Sequence, residues 1–61
     1  MIWKLRKEDI ITTKHNPYLY EVINFSKNNA LLKNCLTNEL KIEGVKTILN
    51  TYRIYRRKSN V

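Results

Sequence analysis

The fold is decided by residues Tyr18–Ile42, which read YLYEVINFSKNNALLKNCLTNELKI. The stretch contains three apolar runs, Tyr18–Phe25, Ala30–Leu36 and Leu40–Ile42, separated by the polar segments Ser26–Asn29 and Thr37–Glu39. Short runs rich in Tyr, Val, Ile, Leu and Phe are typical of β-strands, and short breaks of Asn, Ser and Thr are typical of hairpin turns. The stretch therefore predicts a three-stranded antiparallel meander.

The residues before the meander predict a further strand. Ile10–Thr13 is rich in β-branched side chains, which favour a strand, and Lys14–Pro17 then breaks the pattern as a loop. Met1–Leu5 is apolar and is interpreted as a short strand or as an arm packed over the sheet.

The residues after the meander allow two interpretations. Gly44, the only glycine, is expected to end the meander by adopting a positive φ. The spacing of apolar residues beyond it favours one turn of helix at Lys46–Asn50, followed by a closing strand at Thr51–Arg57. The alternative is a single amphipathic helix from Val45 to Lys58.

Alternation along the predicted strands assigns side chains to faces. Tyr20 and Val22 are expected in the core, and Leu32 and Leu36 are expected to share one face of the next strand. In the last strand of the meander, Leu40 and Ile42 are expected to continue one apolar face, with Lys41 and Glu43 turned outward. Cys35 is expected to be a small, half-buried strand thiol.

Size and composition predict a single small basic domain spanning residues 1–61. A lone Cys excludes an internal disulfide, no Cys/His set could hold zinc, and no apolar run is long enough to span a bilayer. A cytoplasmic protein is expected. The abundance of Ile, Lys and Asn is typical of AT-rich coding DNA, which suggests that the source is a bacteriophage, a mobile element or a low-GC bacterium.

Charge is the main functional clue in the composition. Twelve Lys and Arg residues against five Asp and Glu give a formal net charge of +7, and no acid follows Glu43. Such an imbalance favours a polyanionic partner, nucleic acid above all, or an acidic protein surface. Solubility alone is the competing explanation.

The order of features resembles the small SH3-like barrels, which include KOW-type modules and many short phage and bacterial proteins. The resemblance rests on Lys7–Ile10 as a strand start, Tyr20–Val22 as a second strand, the hairpin Leu32–Leu40, and Thr47–Tyr55 as a one-turn helix with a closing strand. The glycines usual in such chains are missing before Asp9, in the first loop and in the second hairpin. The resemblance implies a mainly β, five-stranded barrel and leaves open whether the ligand is DNA, RNA or protein.

Aromatic and basic side chains alternate near the C-terminus and recur near the N-terminus. Arg and Lys can neutralise phosphates, and Tyr or Trp rings can stack on unpaired bases. The predicted nucleic-acid-binding residues are Arg53, Tyr55, Arg56, Arg57, Lys58, Lys4, Arg6 and Trp3. Binding of low sequence specificity is expected, through the phosphate backbone.

A second hypothesis is a protein-binding module, such as a phage-encoded modulator that docks on an acidic surface of a host protein. Trp3 and Tyr18 would then be the anchors. A third is a structural or assembly subunit, and a monomer or weak homodimer is expected. Because His15, Cys35 and the carboxylates are scattered, we predict no catalytic residues, no metal site and no cofactor.

Overall fold

The computed structural model describes residues 4–15 and 18–57. Its elements are strands β1 (Ile10–Thr13), β2 (Tyr20–Phe25), β3 (Asn29–Asn34) and β4 (Leu40–Gly44), helix α1 (Val45–Thr51) and strand β5 (Tyr52–Arg56). The prediction of a short helix followed by a last strand is confirmed. The alternative of one helix from Val45 to Lys58 is wrong, because the chain turns extended at Tyr52 (φ −96°, ψ 164°).

The five strands form one sheet in the order β4-β3-β2-β1-β5, and every pairing is antiparallel. The predicted mainly β fold and its central meander are therefore confirmed. The sheet is not closed, so closure into a barrel is not confirmed. β4 and β5 are its two edges, and α1 connects them.

The core lies on one face of the sheet. Its buried apolar side chains are Leu5, Ile11, Tyr20, Val22, Ala30, Leu32, Ile48 and Tyr52, with Val45 packed against them. Tyr20 and Val22 are buried as predicted. Leu5 belongs to this cluster without lying in a strand, and Met1–Trp3, the rest of the predicted first apolar segment, is outside the described residues.

β3 ends at Asn34, two residues before the predicted boundary at Leu36. The Asn34 side chain causes this, because its Oδ1 accepts hydrogen bonds from the backbone N–H groups of Leu36 (2.8 Å) and Thr37 (3.1 Å). This local bonding competes with continuation of the strand and bends the chain into a turn. The prediction that Leu32 and Leu36 share one strand face and the predicted half-buried position of Cys35 are therefore both wrong: Leu36 is 76% exposed, and Cys35 is exposed in the turn.

The predicted faces of β4 are reversed. Lys41 lies directly opposite Leu32, which faces the core, whereas Ile42 lies opposite Leu31 on the outer face. Ile42 is accordingly 71% exposed and Leu40 60% exposed. Hydrophobicity alone suggested the opposite arrangement, but on the core side Lys41 finds a hydrogen-bond partner in Tyr52.

Gly44 does not adopt the predicted positive φ. Its φ is −67° and its ψ 137°, which is extended backbone open to other residues. Among the described residues, the positive φ values belong to Glu8 (70°) and Asn38 (65°), which lie in the turns before β1 and before β4. In the parts of the chain that are described, no helix has the length and apolar character needed to cross a membrane.

Candidate nucleic-acid interface

The outer side of β5 carries part of the predicted basic surface. Arg53 lies opposite Thr12, and Arg56 lies opposite Ile10. Both arginines are exposed, and Tyr55 between them is 62% exposed. The β1–β5 register shifts between Ile10 and Ile11, and this irregularity accompanies the break in strict alternation that leaves Tyr55 and Arg56 both outside.

Arg57 joins the N-terminal segment to the end of β5. Its Nε and Nη2 donate to Asp9 Oδ1 and Oδ2, each at 3.0 Å, and Nη2 also donates to the carbonyl of Lys4 at 2.6 Å. Asp9 is only 1% exposed and also accepts the backbone N–H of Arg6 at 3.0 Å. The hydrogen bond to Asp9 raises the pKa of Arg57 above its ordinary value, so the cation is permanent.

This arrangement brings two distant parts of the predicted site together. Lys4 and Arg6 are exposed, and the bonds through Arg57 and Asp9 hold their segment beside the C-terminal end of β5. We call Lys4, Arg6, Arg53, Tyr55 and Arg56 the β5 basic surface. Arg57 has intramolecular acceptors and is only partly exposed, so it positions this surface rather than extending it.

Most cations of the described residues have no acidic partner. The recorded ion pairs are Arg57–Asp9, Lys33–Glu21 at 4.0 Å and Lys41–Glu43 at 3.8 Å. The exposed cations of residues 4–15 and 18–57 that form no ion pair are Lys4, Arg6, Lys7, Lys14, Lys27, Lys46, Arg53 and Arg56. The positive charge is therefore available to an anionic partner.

A groove that the sequence did not reveal adjoins Lys4. It is lined by Lys4, Leu5, Phe25, Ser26, Lys27, Val45 and Leu49. Phe25 is partly exposed there, with lysines on the rim, so the groove combines an aromatic ring with positive charge. The available signal in the sequence was an aromatic residue, Phe25, two positions before Lys27 at the start of a predicted hairpin turn.

A polar cluster spans the two edges of the sheet. Lys41 Nζ on β4 donates to the Tyr52 hydroxyl on β5 at 2.9 Å and lies 4.5 Å from the centre of the Tyr20 ring. The two rings meet edge to face, 6.0 Å apart. The hydrogen bond to Tyr52 raises the pKa of Lys41 and outweighs the opposing effect of partial burial. The cluster thus serves the fold and lies apart from the outward arginines of β5.

Tyr18, the predicted protein-binding anchor, is exposed and lines a shallow apolar groove with Leu19, Cys35 and Leu36. The backbone hydrogen bond from Cys35 to Leu19 (2.9 Å) holds the two sides together. Leu36, predicted to share a strand face with Leu32, lies in the turn instead and adds an apolar side chain to this groove.

Two predicted site residues, Trp3 and Lys58, lie outside the described residues. Within residues 4–15 and 18–57, no group of three or more His, Cys, Asp or Glu side chains is arranged to hold a metal ion. Comparisons with protein-family models, curated proteins and solved structures find no match to this chain.

Proposed function

We propose that this protein is a small nucleic-acid-binding module that contacts the phosphate backbone with low sequence specificity. The observation that carries the proposal is the set of exposed cations on and next to β5. Arg53 and Arg56 lie on the strand, and Arg57 and Asp9 hold Lys4 and Arg6 beside its C-terminal end. A charged surface fixed in this way releases counterions when it meets a polyanion.

Tyr55 adds a second contribution to binding. Its ring is exposed between the two arginines, so it is available to stack on an unpaired base. Phe25 in the neighbouring groove offers a second ring close to Lys4 and Lys27. We therefore expect a preference for single-stranded over double-stranded nucleic acid.

The test is fluorescence anisotropy of labelled single- and double-stranded DNA and RNA, at about 50 mM and about 200 mM salt. Contacts from Lys4, Arg6, Arg53 and Arg56 predict that log K falls with log salt with a slope of about −3.6 on duplex DNA. The Arg53→Gln/Arg56→Gln double variant should reduce that slope by about 2. Tyr55→Ala should weaken binding to single strands about tenfold and to duplex much less.

The matched control is the Lys46→Gln variant, compared with Arg53→Gln and Arg56→Gln as single variants. It removes the same charge from an exposed position on α1, whereas Lys14 follows Thr13 and lies near Arg53, which is opposite Thr12. Lys46→Gln should bind almost as wild type does. Equal losses in the three single variants would show that overall charge alone is responsible, and absence of binding at low salt would refute the proposal.

The second candidate function is a protein-binding module. The exposed apolar groove of Tyr18 and Leu36 favours it, because aromatic and aliphatic anchors dominate protein interfaces. Capture from nuclease-treated lysate should retain a single protein, and a Tyr18→Ala/Leu36→Ala variant should lose it while the Arg53→Gln/Arg56→Gln variant keeps it. The reverse pattern would favour nucleic acid.

We also propose that the chain is an SH3-like module. The strand order and the single helical segment before the last strand support this kinship. The free, exposed thiol of Cys35 suits a reducing compartment, so we place the protein in the cytoplasm, either of a bacterium or of a phage-infected host.

A further inference from the structure

The free side of edge strand β4 has a defined hydrogen-bonding pattern. Asn34 N–H donates to Glu39 O at 2.8 Å and Val45 N–H donates to Asn28 O at 2.9 Å, at the two ends of the β3–β4 ladder. Hydrogen-bonded and non-hydrogen-bonded pairs alternate along an antiparallel ladder. The bonded pairs between those ends are therefore Leu32–Lys41 and Ala30–Glu43.

It follows that the backbone groups of Leu40 and Ile42, and the N–H of Gly44, point away from β3. The carbonyl of Gly44 belongs to the start of α1, where Gly44 is the N-cap. No strand among the described residues pairs with this side of β4. An edge with free donors and acceptors is a template for another strand.

We propose that this edge pairs with β4 of a second copy of the chain, in an antiparallel register centred on Ile42. In this register each Ile42 donates to the other, and each Gly44 N–H donates to the Leu40 carbonyl of the partner copy. All of these groups already point outward. Formation of this dimer does not require nucleic-acid binding.

The charges of β4 select this register. With Ile42 opposite its own copy, Lys41 of each chain lies opposite Glu43 of the other, in the closer, non-hydrogen-bonded type of pair. Registers centred on Lys41 or Glu43 place like charges opposite each other. A register centred on Leu40 uses Asn38, whose φ of 65° is incompatible with a strand.

The outer face of β4 also favours pairing with a second copy of the chain. Leu40 and Ile42 are exposed, and Leu31 lies beside Ile42 in the ladder. Pairing across the two-fold axis joins these side chains of both copies into one apolar strip. The other edge, β5, carries Arg53 and Arg56 on its outer face, so the same pairing there would bring arginines of two copies together.

The first test is sedimentation equilibrium at about 0.15 M salt, where the Debye length is about 8 Å and the repulsion between two +7 chains is screened. Because a single strand pair forms a small interface, we expect a weak dimer that is detected between about 10 µM and about 1 mM protein. Ile42→Lys should weaken it at least tenfold, since the two-fold axis would bring two cations together.

The control is Leu36→Lys, which introduces the same charge at an apolar residue of similar exposure, 76% against 71% for Ile42, in the turn outside β4. It should dimerise as wild type does. Ile42→Pro tests the backbone: it removes an outward N–H that does not bond to β3, and proline is tolerated in edge strands, so the monomer should keep its circular dichroism spectrum while dimerisation is lost. A wild-type chain that stays monomeric throughout this range, or equal losses in the two Lys variants, would overturn the proposal.

The register has its own test in a Cys35→Ser background. Residues in a hydrogen-bonded pair have Cα atoms about 5.5 Å apart, within disulfide range. Ile42→Cys should therefore form an intermolecular disulfide under mild oxidation, at least tenfold faster than Leu40→Cys, because each Leu40 lies opposite Gly44 rather than its own copy. Equal or reversed rates, or no cross-link at either position, would overturn the Ile42-centred register.

Discussion

Asp9 and Arg57, separated by 48 positions in the chain, form a two-point ion pair with both N···O distances at 3.0 Å. The carboxylate is buried and lies in the turn before β1, whereas the guanidinium follows β5 and keeps part of its surface in solvent. The pair therefore fixes the path of the N-terminal segment, which contributes Lys4 and Arg6 to the β5 basic surface. Stability and ligand binding are expected to be linked through it.

We expect Asp9→Asn to lower the free energy of unfolding by about 2 kcal/mol, because hydrogen bonds to a charged group contribute about 1.5–3 kcal/mol. The amide can still accept the N–H of Arg6 but cannot accept from both nitrogens of Arg57. The coupling free energy between Asp9 and Arg57 is measured by urea unfolding of a double-mutant cycle. The cycle consists of wild type, Asp9→Asn, Arg57→Gln and the double variant. Effects that simply add would show that the two residues do not stabilise each other.

The backbone φ angles of Gly44 and Asn38 predict different responses to substitution by Ala. At Gly44, an added Cβ would lie 3.6 Å from Thr47 Oγ1, an ordinary contact, and φ is negative. Gly44→Ala should therefore change the stability by no more than about 0.5 kcal/mol, because the gain through the unfolded chain is offset by the poorer N-capping of Ala. Asn38→Ala should destabilise the protein by about 1 kcal/mol, since φ is 65° there, and Asn38→Gly should not. Thermal unfolding of the three variants decides the point, and a Gly44→Ala variant destabilised as much as Asn38→Ala would contradict the prediction.

Lys41 predicts a loss of stability at alkaline pH. Its folded pKa is raised above the ordinary 10.5, mainly by the hydrogen bond to Tyr52, so the folded state binds the proton more tightly than the unfolded state does. The stabilisation of the folded state by protonated Lys41 is present in full below pH 10.5 and is lost as the pH rises through the folded pKa. The stability difference between wild type and Lys41→Met, measured by urea unfolding, should shrink over that interval. A constant difference would exclude this cause.

Burial of Ile48 is expected to be the main contribution of α1 to the stability of the core. Ile48 is the one buried residue that α1 contributes. Ile48→Ala should lower the free energy of unfolding by about 3 kcal/mol, and Ile48→Val by about 1 kcal/mol. Leu49→Ala, at a partly exposed position of the same helix, is the control and should have the smaller effect. Similar losses at the two positions would contradict the prediction, because Ala is a better helix former than Ile or Leu and the expected difference comes from the burial of Ile48.

The presence of the three strands of the meander could be predicted from the sequence, because the apolar runs and the Asn-rich breaks between them are local signals. The end of β3 could not, since it depends on the Asn34 side chain bonding to Leu36 and Thr37. The faces of β4 also could not, because Leu40 and Ile42 are the apolar residues of that strand but Lys41 finds Tyr52 in another strand. Local patterns do not reveal partners that are distant in the chain.

The candidate site divides in the same way. The run from Tyr52 to Arg57 predicted a basic, aromatic surface, and Arg53, Tyr55 and Arg56 are exposed; that this surface binds nucleic acid stays a prediction. The separate role of Arg57 could not be predicted, because it depends on the burial of Asp9, which is 48 positions away in the chain. The charge of a segment identifies a basic surface, but only tertiary contacts show which of its cations form intramolecular ion pairs.

The strand order also determines when β1 can obtain both of its neighbours during synthesis. β1 lies between β2 and β5, so the first of the described strands to be made obtains its second neighbour from the last of them. The meander closes through short hairpins, whereas the β1–β5 pairing spans almost the whole domain and requires a large loop closure. On a translating ribosome, β1 would keep one edge unpaired until β5 has left the exit tunnel, so a stall before that point leaves a chain prone to aggregation.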